Sequence, residues 1–145
     1  MKFLTSTLIL LSVLFFSCSY SKPASKTNLS QVDTVSSDTS VIKDVSIIAL
    51  IANPQLYNHS KVRVIGYLHL EFEGNCIYLH KEDCKNAISK NALWVDLISR
   101  EKMRSLQKFS DHYVIIEGIF NADDKGHMEM NSGTVTNISR VDLWP

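Results

Sequence analysis

Alternation of apolar and polar residues dominates the second half of the chain, and this pattern predicts β-strands. From Lys61 to Phe72 every second residue is apolar or glycine, which predicts a strand with one buried face and with Phe72 as its last inward residue. Gly66 lies in the middle of this stretch, where we expect a bend or a bulge. Turn-forming residues at 73–75 lead into a return strand over 76–80, so the pattern predicts a hairpin.

Three further strands are predicted over 92–97, 112–121 and 133–143, and the segment 112–121 is the most apolar of them. A short helix is predicted after Asp44, which we expect to cap its first turn, and it ends before Pro54. A second helix is predicted over 99–108 with Ser99 as its cap. The predicted order is therefore a helix, three strands, a helix and two strands.

The beginning of the chain follows a different pattern. Lys2 precedes an unbroken stretch of apolar and small hydroxyl residues from Phe3 to Phe16, which is short for a membrane span and typical of a secretory signal. Residues 18–43 are rich in Ser and Thr and poor in large apolar residues, which is typical of a flexible tether. The sequence thus predicts a signal peptide over 1–17, a tether over 18–43 and one folded domain over 44–145.

The end of the apolar stretch, Phe15-Phe16-Ser17-Cys18, places a small residue directly before a cysteine. It resembles the lipobox of bacterial lipoproteins, which implies that Cys18 is acylated and becomes the new N-terminus. Multiple acyl chains on Cys18 would anchor the chain stably in a lipid bilayer. The resemblance therefore implies an extracytoplasmic location on a membrane of the bacterial cell envelope. The alternative is an ordinary signal cleaved at the small residues 17–19, which would release a soluble protein.

The order of the later elements resembles the OB-fold, and in particular the small extracytoplasmic OB-domain lipoproteins of bacteria. The resemblance rests on 61–68, 113–120 and 133–138, each of which couples an alternating strand to a glycine. It implies a mainly β fold: a five-stranded OB-like Greek-key barrel, with an N-terminal helix and a helix between strands three and four. The rival architecture is an open α+β sheet with the same elements.

OB barrels bind ligands across strands two and three and with two adjoining loops. On this chain the resemblance implies seven candidate ligand-binding residues: Tyr67, His69, Glu71, Glu73, Tyr78, Trp94 and His127. The alternative for Tyr78 and Trp94, which we favour, is packing in the core or at its rim.

Charge argues against nucleic acid as the ligand. The chain carries 15 Lys and Arg residues and 15 Asp and Glu residues, and removal of the signal peptide takes away only Lys2. Tyr67, Tyr78 and Trp94 could stack on bases, but the charges predicted beside them are mostly carboxylates, which repel phosphate.

Metal binding is a second hypothesis for the same end. His69, Glu71 and Glu73 share one predicted strand face, and His127 lies in the loop that an OB barrel brings to that end. The alternative is an ordinary solvated face, because no recognised ligand motif is present. We accordingly predict no cofactor. The sequence also lacks a nucleophile elbow, a phosphate loop and an HExxH motif, so we expect a protein that is not an enzyme.

Two cysteines remain if Cys18 is acylated. Cys76 and Cys84 form an even pair, which permits a disulfide in an oxidising compartment. Such a bridge requires the chain to double back between them, and the alternative is two free thiols.

Two functions from different classes are therefore open. The first is a membrane-anchored OB-fold binding or scaffold module, non-catalytic, that contacts an envelope protein, peptide or glycan. The second is a metal- or small-ligand-binding lipoprotein that uses the end carrying His69, Glu71, Glu73 and His127.

Overall fold

A computed structural model describes residues 41–145. The predicted signal peptide, the acylation of Cys18 and the tether before residue 41 lie outside the described residues. The strands are β1 (Lys43–Asp44), β2 (Lys61–His69), β3 (Cys76–Tyr78), β4 (Ala92–Val95), β5 (His112–Asn121) and β6 (Thr134–Leu143). The α-helices are α1 (Ile47–Ala52), α2 (Pro54–Tyr57), α3 (Lys81–Lys85) and α4 (Arg100–Leu106), and 3-10 turns lie at Ser89–Asn91, Gln107–Phe109 and His127–Glu129.

Strands β2 to β6 form a closed five-stranded barrel in the order β2-β3-β4-β6-β5, with β5 paired back onto β2. Strands β4 and β6 run parallel, and the other neighbours in the barrel run antiparallel. Helix α4 lies between the third and fourth barrel strands. The predicted mainly β, OB-like barrel is confirmed, and closure through β2 and β5 excludes the open sheet. Strand β1 adds two residues parallel to β2 outside the barrel.

The core is built from the inward row of each barrel strand, as the alternation predicts. On β5 this row is Val114, Ile116 and Phe120, all fully buried. Helix α1 adds Ile47 and Leu50 to the same core. Burial of these apolar side chains is the main term that stabilises the fold.

Gly66 lies where β2 passes close to two other elements. A Cβ atom there would lie 2.6 Å from the Tyr78 carbonyl oxygen and 2.7 Å from Ile47 Cδ1. The register of β2 with β5 is regular through Gly66, so the bulge considered for this position is absent. The irregular pairing lies instead between β5 and β6, at Glu117 and Ile119. Glycine is needed at position 66 for close approach of the backbone.

The connection between β2 and β3 differs from the prediction. Strand β2 ends at His69, and the turn is closed by Gly74 N–H donating to the Glu71 carbonyl, with Glu73 in the left-handed region at φ 60°. Phe72 therefore lies in the turn and is 79% exposed, so its predicted inward position is wrong. The turn comes two residues earlier than the expected 73–75, because alternation alone does not show where a strand stops.

The first helix also begins later than predicted. Ser46, not Asp44, caps α1, and its hydroxyl accepts a hydrogen bond from Ala49 N–H at 3.1 Å. Asp44 instead belongs to β1, where it pairs with Arg63. The prediction that Ser99 caps the second helix is confirmed, since its hydroxyl accepts from Lys102 N–H.

A row of alternating charges crosses the outside of the barrel through β1, β2, β5 and β6. Arg63 bonds Asp44 at 3.1 Å and Glu117 at 2.8 Å. Arg140 bonds Glu117 at 3.1 Å and also pairs with Asp142. We call these five residues the charge ladder. It ties β1, β5 and β6 to β2 on the outer surface.

Candidate functional site

The outer faces of β2, β3 and β4 carry a second, smaller apolar cluster. Its buried members are Tyr67, Cys76, Tyr78 and Ala92, which we call the outer cluster. Strand β3 is consequently buried on both sides, because Ile77 between the two outer residues points into the barrel core. These outer faces are the ones with which OB barrels bind ligands.

Helix α3 covers one side of the outer cluster. The chain turns back after β3, so that Cys84 of α3 packs against the cluster and Lys81 Nζ lies 5.8 Å from the centre of the Tyr67 ring. Asp83 holds this helix in place, because its carboxylate accepts hydrogen bonds from His80 N–H at 3.0 Å and from Asn91 Nδ2 at 2.9 Å. Both carboxylate oxygens of this buried side chain are therefore used.

The loop between β5 and β6 covers the other side. Asn131 is buried, and its Nδ2 donates to Cys76 Sγ at 3.1 Å. Gly126 lies directly on the Trp94 ring with φ at +68°, so a side chain there would be both strained and blocked by the indole. Ser132 N–H donates to the Ala92 carbonyl and fixes the end of the loop to β4. Together, α3 and this loop form a cover over the outer cluster.

The cover decides which candidate residues can reach a ligand. Tyr67 and Tyr78 are only 6% and 8% exposed, and Trp94 is half-buried under Gly126. Burial raises the pKa of both tyrosine phenols, and for Tyr67 the Asp111 carboxylate raises it further. The three aromatic side chains thus pack within the protein. For Tyr78 and Trp94, this agrees with the interpretation of the sequence as packing in the core or at its rim.

The polar candidates lie at the ends of β2 and of the loops, and they form two separate pairs. His69 Nδ1 lies 2.7 Å from Asp111 Oδ1, and His69 Nε2 lies 3.6 Å from Glu71 Oε2. His127 Nε2 lies 3.9 Å from Glu73 Oε2. The structure therefore brings His127 to Glu73, as expected from the fold. Among residues 41–145, no group of three or more His, Cys, Asp or Glu side chains is placed to hold a metal ion.

An exposed apolar groove lies between the two parts of the cover. It is lined by residues 87–90 on the β3–β4 side and 128–130 on the loop, with a volume of about 450 Å³. Its apolar side chains, Ile88, Met128 and Met130, are all exposed. We call this feature the methionine groove. Glu73, in the turn between β2 and β3, contacts His127, the residue before Met128.

Of the seven non-glycine residues with positive φ in the described part of the chain, three lie in the methionine groove. Ala87, Met128 and Glu129 all have positive φ, at 52°, 53° and 56°, and Glu73 beside the groove has φ 60°. Such a conformation costs free energy in any residue other than glycine. One signal for this groove is present in the sequence, namely two methionines within an otherwise polar loop, and sequence reasoning missed it.

Both cysteines among residues 41–145 are reduced, and both are associated with the outer cluster. Cys76 is a buried member of the outer cluster, and partly exposed Cys84 packs against that cluster from α3. Burial is the main cause that raises the pKa of both thiols, and the carboxylates of Asp111 and Glu71 raise that of Cys84 further. The chain doubles back after β3, and Cys84 thereby packs against the cluster that contains Cys76.

Comparison of the chain with protein-family models found no match, and no curated protein matches it either. Within residues 41–145 there is no helix of the length and apolar character that crossing a membrane needs.

Proposed function

We propose that this protein is a non-catalytic binding module that uses the methionine groove to contact an apolar segment of a protein or peptide partner. The observation that carries the proposal is the exposure of Ile88, Met128 and Met130 around one groove with strained backbone on both sides. Clustered exposed apolar side chains mark interaction sites, and methionine adapts to partners of different shape. Apolar side chains favour a peptide over a glycan as the ligand.

The location of this groove explains how an OB barrel would bind with its usual face covered. Tyr67 and Tyr78 offer no stacking surface for bases, which supports the exclusion of nucleic acid. The groove lies between the two parts of the cover and its apolar side chains are already exposed, so binding at this site needs no rearrangement of the barrel.

The surroundings of His69 support a non-catalytic role. Within the described residues, the best candidate for acid–base chemistry is the His69–Asp111 pair. The second ring nitrogen of His69 faces Glu71 rather than a Ser or Cys side chain.

We further propose that the module is held at the bacterial cell envelope by acylated Cys18, on the extracytoplasmic side of the membrane.

Photo-crosslinking in intact cells tests the binding proposal. A photoreactive residue at Met128 in the full chain should give a discrete adduct with a partner protein. The matched control is Leu56 on α2, which is also apolar and exposed but is not part of the groove. Adducts that are the same from both positions, or none from Met128, would contradict the proposal.

Binding of a metal or small ligand is the second candidate, and it would use His69, Glu71, Glu73 and His127. The proximity of His127 to Glu73 favours it, whereas the split into two pairs does not. Elemental analysis of the purified protein, with titration of Zn²⁺ by calorimetry, distinguishes the two. Stoichiometric binding that is lost in His127→Ala would support this candidate.

A further inference from the structure

Cys76 and Cys84 occupy complementary positions in the cover. Cys76 lies on β3 beneath the cover, and its sulfur accepts a hydrogen bond from Asn131 Nδ2. Cys84 lies on α3, which packs on that strand, and its side chain is partly open to solvent. Cys84 packs against the same outer cluster that contains Cys76. A molecule in solution can therefore reach Cys84, whereas Cys76 is accessible only to groups inside the cover.

We propose that Cys76 and Cys84 form a redox pair in which Cys84 reacts with an external disulfide, Cys76 resolves the product, and the resulting bond joins α3 to β3. The proposal goes beyond the binding function and does not depend on it. It assigns a chemical role to the two cysteines that the groove does not use.

The reaction is a pair of thiol–disulfide exchanges with a small-molecule or protein disulfide as oxidant. Cys84 thiolate attacks one sulfur of the oxidant and expels the other sulfur as a thiolate. Cys76 thiolate then attacks the Cys84 sulfur in the mixed disulfide and expels the second sulfur of the oxidant. The two cysteines lose two electrons and two protons, and the oxidant gains both as two thiols.

The new bond would fix the cover on the barrel. Helix α3 has only five residues and is held by Asp83 and by the backbone N–H of Lys81, which donates to the Tyr113 hydroxyl at 3.2 Å. A disulfide between Cys76 and Cys84 closes a short loop and removes conformations from the unfolded chain. We expect the melting temperature to rise by about 10 °C on oxidation.

Peptide mapping after oxidation by glutathione disulfide tests the proposal. The full chain carrying Cys18→Ser keeps Cys76 and Cys84 as its only cysteines, and trypsin separates them by cleavage after Lys81. Mapping should give a linked peptide, preceded in time by glutathione on the Cys84 peptide. Glutathione appearing first on Cys76 would overturn the proposal, as would the absence of a linked peptide.

Two variants separate the roles of the cysteines. In Cys76→Ser the mixed disulfide on Cys84 should accumulate, because nothing resolves it. In Cys84→Ser the buried thiol of Cys76 should stay free of glutathione for at least tenfold longer than the Cys84 thiol does in Cys76→Ser. Equal reactivity of the two single cysteines would contradict the assigned order. If a variant fails to fold, the time course of glutathione addition in the chain with both cysteines still tests that order.

Discussion

Arg63 and Glu117 are direct cross-strand partners, with Arg63 Nε donating to Glu117 Oε1 at 2.8 Å between β2 and β5. The Glu117 side chain is only 10% exposed and also accepts from Arg140. The hydrogen bond from Arg63, reinforced by Arg140, holds the pKa of Glu117 below its ordinary value against the opposing effect of burial. The charge ladder therefore stabilises the barrel only while Glu117 is ionised.

Replacement of Glu117 by Gln should lower the melting temperature by about 5 °C at pH 7. Because the pKa of Glu117 is depressed in the folded state, its contribution is complete above the unfolded value of about 4.3 and is lost as the pH falls through the lower folded value. Melting curves from pH 7 to pH 2 should show the difference shrinking on the acid side. Glu101→Gln, at an exposed position on α4, is the control, and an equal loss in that variant would refute the role of the ladder.

Gly66→Ala should destabilise the barrel by about 2 kcal/mol, because the new Cβ would overlap the Tyr78 carbonyl and Ile47. Urea unfolding measures the loss. Gly74→Ala is the matched control, since the atoms nearest to its Cβ would belong to the flexible, exposed side chain of Glu71. If both variants unfold at the same urea concentration, close packing at Gly66 is not the reason for glycine there.

Asp83→Ala should loosen the cover at a cost of about 1–2 kcal/mol, because His80 N–H and Asn91 Nδ2 lose their acceptor. The native protein should then show faster alkylation of Cys76, which α3 no longer shields well. Glu82→Ala removes the same charge from an exposed position of the same helix. Equal alkylation rates in the two variants would show that Asp83 does not hold the cover.

Cys18→Ser should move the protein from the membrane fraction to the soluble fraction of cells, if acylation at this residue anchors it. Fractionation followed by immunoblotting measures this directly. Cys84→Ser serves as the control for loss of a cysteine as such. Retention of the Cys18→Ser protein in the membrane fraction would contradict lipid anchoring through that residue.

Local sequence signals were enough for much of the fold. The bounds of β5 follow from its apolar alternation, and the start of α4 follows from the capping hydroxyl of Ser99. Each of these features depends on residues that are close together in the chain. The same locality explains the error at Phe72, where the alternation continues past the true end of β2 at His69.

The cover could not be predicted in the same way. Its contacts join residues far apart in sequence, such as Asn131 with Cys76. One indication was nevertheless present, because 76–78 and 92–95 are nearly continuous apolar segments rather than alternating ones. Continuous apolar strands are typical of burial on both faces, which is what the structure shows for β3. That pattern supports the interpretation of Tyr78 as a packing residue.

The parallel pairing of β4 with β6, through Trp94 with Thr134 and Val95 with Val135, also has a consequence for folding. Both β4 and β5 keep an open edge until β6 joins them, and unpaired edges promote association between chains. Barrel closure depends on contacts between distant parts of the sequence, which slows folding. During synthesis, the chain can complete its fold only after residue 143 has emerged from the ribosome.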